Sequence, residues 1–236
     1  MRCRLFLSLL VIGAASCGRS PVVEFPAAAS SNTFAVVVSG DGGWRAIDRD
    51  LTKALNEAGI PVVGLVSPRY FARRRTANES ARELQTLIRR YSARWRRSRV
   101  ILAGYSRGAG VLPFMISRLP AEQRDRIAVV ALLGLDPAID FKFSPGVLLW
   151  KADDELSVPV RPELRKLRGL RVLCVAGAND ADAICRDLPR DLATPVIVGG
   201  GHHFGSRIRG IAAIIMAGAR VRRGPLVAAN RTAGIH

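Results

Sequence analysis

The 236-residue chain carries 36 Lys and Arg against 19 Asp and Glu, a formal net charge of +17, and 49% of its residues are hydrophobic. That much apolar material supports a buried core and excludes a disordered chain or a disulfide-dense mini-protein; the length fits one domain once a leader is set aside. The charge is almost all arginine, since the only lysines are Lys53, Lys142, Lys151 and Lys166. Such a surface is drawn to anionic partners. No zinc-finger spacing and no aromatic–basic interleaving points to nucleic acid, so the expected partner is an anionic phospholipid membrane surface.

Residues 1–17 start basic, continue as a short apolar run and end in small residues before Cys17. This is the pattern of a secretory signal, and the apolar run is too short to span a bilayer. Ala14-Ala15-Ser16-Cys17 also resembles a lipoprotein processing site. Plain cleavage and acylation of Cys17 both stay open, and the second would anchor the mature chain at a membrane. Residues 18–32, rich in Pro, Ala and Ser, read as a tether.

The α/β domain is expected over 33–220. The run Phe34–Val38 reads as a strand buried on both faces. It breaks into Ser39-Gly40-Asp41-Gly42-Gly43-Trp44, and a helix follows with Asp48 as candidate N-cap and Gly59 as stop. Strands are expected at 60–66, 100–103, 127–133, 172–176 and 195–198. Thr76-Ala77-Asn78-Glu79 is a capping-box pattern that opens a second helix. Further helices are expected at about 108–118 and 206–220, an irregular insert over the site at 136–168, and a basic flexible tail at 221–236. Strands alternating with helices predict a mostly parallel sheet covered on both faces. Once Cys3 leaves with the leader and Cys17 is removed or acylated, Cys174 and Cys185 remain as an even pair in an oxidising compartment, where a disulfide is expected.

Gly104-Tyr105-Ser106-Arg107-Gly108 matches G-x-S-x-G between an apolar strand and a helix, the context of a nucleophile elbow. A serine hydroxyl needs a base. Of the three histidines, His236 ends the tail, while His202 and His203 follow the last strand directly. His202 is the expected base and His203 the reserve. The acid should follow the strand ending at Ala176, where Asp180 and Asp182 are both candidates, giving the order Ser, Asp, His that this fold requires. Oxyanion donors are expected from the N–H of Arg107 and from that of Asp41 or Gly42. No metal-ligand spacing, Walker motif or dinucleotide fingerprint occurs, so no metal or cofactor is expected. Asp41, Asp153, Asp154 and Glu155 could receive a substrate amine.

Taken together, Ser-Gly-Asp-Gly-Gly-Trp at 39–44, Ser67-Pro68-Arg69-Tyr70-Phe71, Gly-Tyr-Ser-x-Gly-Ala at 104–109, Leu112-Pro113-Phe114, Leu133-Gly134-Leu135 and Gly-Gly-His-His-Phe at 200–204 resemble the bacterial virulence protein family VirJ/AcvB over roughly residues 34–215. The resemblance implies a periplasmic α/β-hydrolase that cleaves the aminoacyl ester of lysyl- or alanyl-phosphatidylglycerol, with a looser link to virulence and type IV secretion proteins as partners. It favours Asp182, three residues before the second cysteine, whereas the general fold favours Asp180. The Arg107 charge is expected to repel a lysyl ammonium. Two alternatives remain: a general carboxylesterase or lipase, and a non-catalytic periplasmic factor with a vestigial triad.

Overall fold

The computed structural model describes residues 20–28, 31–142 and 157–221. The expected leader with Cys17, the expected tail beyond Val221, and Asp153, Asp154 and Glu155 of the insert lie outside the described residues.

The elements run β1 (Val22–Phe25), β2 (Thr33–Val38), α1 (Ala46–Glu57), β3 (Val62–Leu65), α2 (Ser67–Tyr70), α3 (Ala77–Trp95), β4 (Arg99–Tyr105), α4 (Arg107–Ile116), α5 (Ala121–Asp125), β5 (Ile127–Leu133), β6 (Ala138–Ile139), β7 (Val158–Pro159), α6 (Arg161–Arg165), β8 (Val172–Gly177), β9 (Thr194–Val198) and α7 (Ile208–Arg220). Seven strands form one sheet in the order β1-β3-β2-β4-β5-β8-β9. All neighbours are parallel except β1, which runs antiparallel to β3.

The central strands are apolar throughout because both faces are covered. In β2, Val36 and Val38 face a core shared with Leu84, Ile88 and Tyr91 of α3 and Leu112 of α4. Ala35 and Val37 face the opposite core with Leu51 and Leu55 of α1 and Ile211 and Ile215 of α7. Every residue of β5 is buried. Helix α3 begins at the expected capping box: Thr76 Oγ1 accepts the Glu79 N–H at 3.1 Å, and Glu79 Oε2 accepts the Thr76 N–H at 2.8 Å.

Three expectations are corrected. Residues 22–25, read as tether, form the edge strand β1; four residues flanked by prolines are too few to register as a period, and tertiary contacts hold them. Phe25 stacks on Trp44 with ring centroids 5.5 Å apart, and Trp44 lies so close over Gly64 of β3 that a Cβ there would sit 2.2 Å from the indole. Asp48 is not the N-cap of α1. The helix follows Arg45, and Asp48 sits in its first turn with Oδ2 accepting the Arg45 N–H at 3.1 Å. The insert contains order on either side of its undescribed middle: β6 pairs with β7, and α6 follows.

Candidate active site

Every candidate residue sits at the carboxyl ends of the parallel strands, where open α/β sheets gather their chemistry. Ser106 joins β4 to α4 with φ 51° and ψ −115°, a conformation that an L-residue holds only when its surroundings enforce it, at a cost of about 1–3 kcal/mol. Two glycines make the turn sterically feasible. A Cβ on Gly104 would lie 2.3 Å from the Gly108 carbonyl oxygen, and one on Gly108 would lie 2.0 Å from that of Val38. Ser106 N–H donates to Leu133 O at 2.8 Å, tying the elbow to β5.

His202 follows β9 on a glycine turn. Its Nδ1 lies 2.9 Å from Asp180 Oδ2, and Asp180 is 5% exposed. A carboxylate accepts, so this bond fixes the tautomer with N–H at Nδ1 and leaves Nε2 to take a proton. Asp182, two residues on, is exposed, and the bond to His202 comes from Asp180 instead. The position relative to the second cysteine misleads because the chain turns sharply at 177–180, where Asp180 N–H donates to Gly177 O at 3.2 Å and folds the carboxylate back over the sheet. His203 is exposed and hydrogen-bonded through Nδ1 to the Tyr105 hydroxyl at 2.8 Å, so the two imidazoles have separate partners.

The acid and histidine loops are built as one piece. Asn179 N–H donates to Gly200 O at 2.9 Å and Ala178 N–H to Val198 O at 2.7 Å. Cys174 of β8 and Cys185 are joined as a disulfide that closes the loop carrying Asp180. Gly134, at φ 61°, lies under the His202 ring; a Cβ there would be 2.7 Å from Cε1. Glycine is therefore required by both backbone and ring.

Asp41 and Gly42 occupy the tip of a turn closed by Gly43 N–H on Gly40 O at 3.1 Å, and both line a cavity of about 550 Å³ with Ser106 and His202. The Arg107 amide, at the first position of α4, has no intrahelical acceptor and is free for an oxyanion. The Arg107 side chain corrects two expectations. Its guanidinium is buried, pairs with the Asp41 carboxylate and donates to the Asp140 carbonyl. It does not face a substrate cation, and Asp41 is not free to receive an amine. The pair instead braces the glycine turn against α4.

Three further groups lie at the site without a sequence signal specific to that place. Tyr105, the x of the motif, lies against His202 with ring centroids 5.3 Å apart; its phenol is pushed well above its ordinary pKa by burial and then by the fields of Asp48, Asp180 and Asp136. Asp136 follows β5, and burial raises it to about 6 against the opposing pull of His202. Its only sequence signal is its place just past a parallel strand. Asp48 is 1% exposed and lines the cavity, and burial raises it to about 6 as well.

The family model for bacterial virulence protein VirJ matches residues 32–223. The chain belongs to the VirJ family. No curated protein matches the sequence. Among solved structures, the chain's likeness to Est1E from Butyrivibrio proteoclasticus has a TM-score of 0.60 at 11% identity over 83% of this chain and 91% of that one. The Pyrococcus furiosus esterase Pf2001 gives 0.62 at 12% over 86% and 90%, and MenH from S. aureus gives 0.57 at 13% over 84% and 97%. These likenesses establish that the chain has the α/β-hydrolase fold.

Two outcomes follow. Asp180→Asn should lower kcat on any ester substrate by about 10²–10⁴-fold while Asp182→Asn stays within a few-fold, measured as initial rates on the two purified variants. Burial lifts the Asp48 pKa from its ordinary 3.8 to about 6, so the folded state holds its proton more tightly. Stability is lost as pH rises between those values, and the penalty is complete above the folded pKa. Asp48→Asn keeps the acceptor for Arg45 N–H and should therefore raise Tm by a few degrees at pH 7.5, a gain on the order of 2 kcal/mol that vanishes near pH 4. Thermal melts at the two pH values check this.

Proposed function

We propose that the protein is an exported serine hydrolase that cleaves the ester joining an amino acid to the glycerol headgroup of phosphatidylglycerol at an anionic membrane surface. The observation that carries the reading is the Asp180–His202 hydrogen bond, at 2.9 Å, in a site whose cavity also contains Ser106 on its strained turn. Oriented this way, His202 Nε2 takes the Ser106 Oγ proton as Oγ adds to the ester carbonyl. The Arg107 amide and an amide of the Asp41–Gly42 tip hold the developing oxyanion; one such donor is worth roughly 3 kcal/mol in the transition state. Collapse breaks the C–O bond to glycerol, and His202 returns the proton to the departing alkoxide. Water, deprotonated by His202, then hydrolyses the acyl-Ser106 ester and releases the free amino acid.

Charge supports the substrate class. The chain as a whole is strongly cationic, with Arg82, Arg89 and Arg90 exposed along α3. That suits an anionic bilayer in the periplasm, whether the mature chain is acylated at Cys17 or simply released. Around the candidate nucleophile both signs line the cavity, Asp48 and Asp50 with Arg45, while Asp41 is already paired with Arg107. An aminoacyl lipid presents the matching pair, an anionic phosphodiester and a cationic acyl group. The family's looser link to type IV secretion proteins remains a proposal about partners.

Incubating the mature domain with vesicles of lysyl- or alanyl-phosphatidylglycerol should release the amino acid, and Ser106→Ala should abolish release while leaving the melt unchanged. Release of fatty acid instead would identify a lipase, and equal release by Ser106→Ala would remove the proposed mechanism.

A further inference from the structure

The loop that carries His202 has little regular structure to hold it. Between β9 and α7 it runs Gly199-Gly200-Gly201-His202-His203-Phe204-Gly205, with left-handed φ of 93° at Gly200, 57° at Phe204 and 54° at Gly205. Such a segment has wide conformational freedom unless something ties it down. Two bonds tie it to the acid loop: His202 Nδ1–H donates to Asp180, and Asn179 N–H donates to Gly200 O. These fix acid and base to each other. They do not fix the base against Ser106, and a base works only within hydrogen-bond reach of the proton it removes.

Tyr105 bridges the two. It immediately precedes Ser106, and its half-buried ring lies against three successive loop residues, with centroids 5.3 Å from His202, 6.5 Å from His203 and 6.3 Å from Phe204. The ring also reaches the glycine turn: a Cβ on Gly40 would sit 3.0 Å from Tyr105 Cδ1. The Tyr105 hydroxyl is 2.8 Å from His203 Nδ1. Burial holds the proton on the phenol, so the hydroxyl donates and Nδ1 accepts. The His203 ring proton is then on Nε2, the reverse of His202. We propose that the Tyr105–His203 hydrogen bond is a strut that sets the separation of Ser106 and His202. Each partner is the chain neighbour of one reacting residue, so the outer pair fixes the inner one. Buried Phe204 anchors the end of the loop; the strut ties its middle to the elbow. Tyr105 and His203 are thus positioning residues that act through their neighbours. The inference rests on the serine-hydrolase reading and not on the lipid, because every ester demands the same approach.

The test compares wild-type protein, Tyr105→Phe, His203→Ala and the double variant. The readouts are the rate of Ser106 labelling by a fluorophosphonate and kcat and KM on p-nitrophenyl acetate, a reporter ester. Rates are normalised to the Ser106 finally labelled, so unfolded protein drops out. Each single change should lower the labelling rate and kcat about tenfold with little change in KM. The double variant should be no slower than the slower single, because one bond is lost only once. His203→Asn puts a carboxamide oxygen near the place of Nδ1 and should recover most of the rate. Wild-type rates in both singles, or losses that multiply in the double variant, overturn the strut and leave the hydrolase reading intact. If the wild-type protein neither labels nor turns over the ester, the hydrolase reading fails. Amide hydrogen exchange over residues 199–205 then decides the strut: faster exchange in Tyr105→Phe supports it and unchanged exchange overturns it.

Discussion

The backbone of Ser106 turns left-handed where β4 meets α4, and it can do so only because Gly104 and Gly108 leave no side chain in a space occupied by carbonyl groups. The rest of the site is arranged around that turn. It raises the hydroxyl above the sheet edge, starts α4 so that the Arg107 amide is unspent, and lets the β4–α4 connection pack directly against the end of β2. The turn is also a local strain that only a rigid frame sustains. The frame is the two-sided core, in which alternate residues of the central strands face α3 and α4 on one side and α1 and α7 on the other.

Rigidity extends to the partners of Ser106. Asp180 and His202 come from loops after different strands, yet hydrogen bonds between residues 178–179 and 198–200 join them, and the Cys174–Cys185 disulfide closes the acid loop. On the opposite side, the pair of buried Arg107 with half-buried Asp41 ties the glycine turn to the helix behind the candidate nucleophile. An arginine that looks like a specificity determinant in the sequence is thus a brace.

Much of this was legible in the sequence, for identifiable reasons. Buried parallel strands are continuous apolar runs, so β5 was placed residue for residue, and the elbow announces itself through glycines that sterics require. Choices between neighbours were less legible. Asp180 and Asp182 differ by two residues, and which one reaches His202 depends on the turn at Gly177, which no periodicity records. The strand β1 was hidden because it is held by Phe25 on Trp44 and by pairing with β3, contacts between residues far apart in the chain. Asp48 looked like a cap because helix starts favour aspartate. Its burial and unsatisfied oxygen emerge only when α1 is packed against the sheet.

On the proposed function, Ser106, and no other hydroxyl, is the activated nucleophile of this site. The most direct measurement is reaction of the folded mature domain with a fluorophosphonate, followed by peptide mapping of the adduct. One modification per chain is expected, on Ser106. A folded protein that remains unlabelled, or that carries the adduct on another residue, would contradict it.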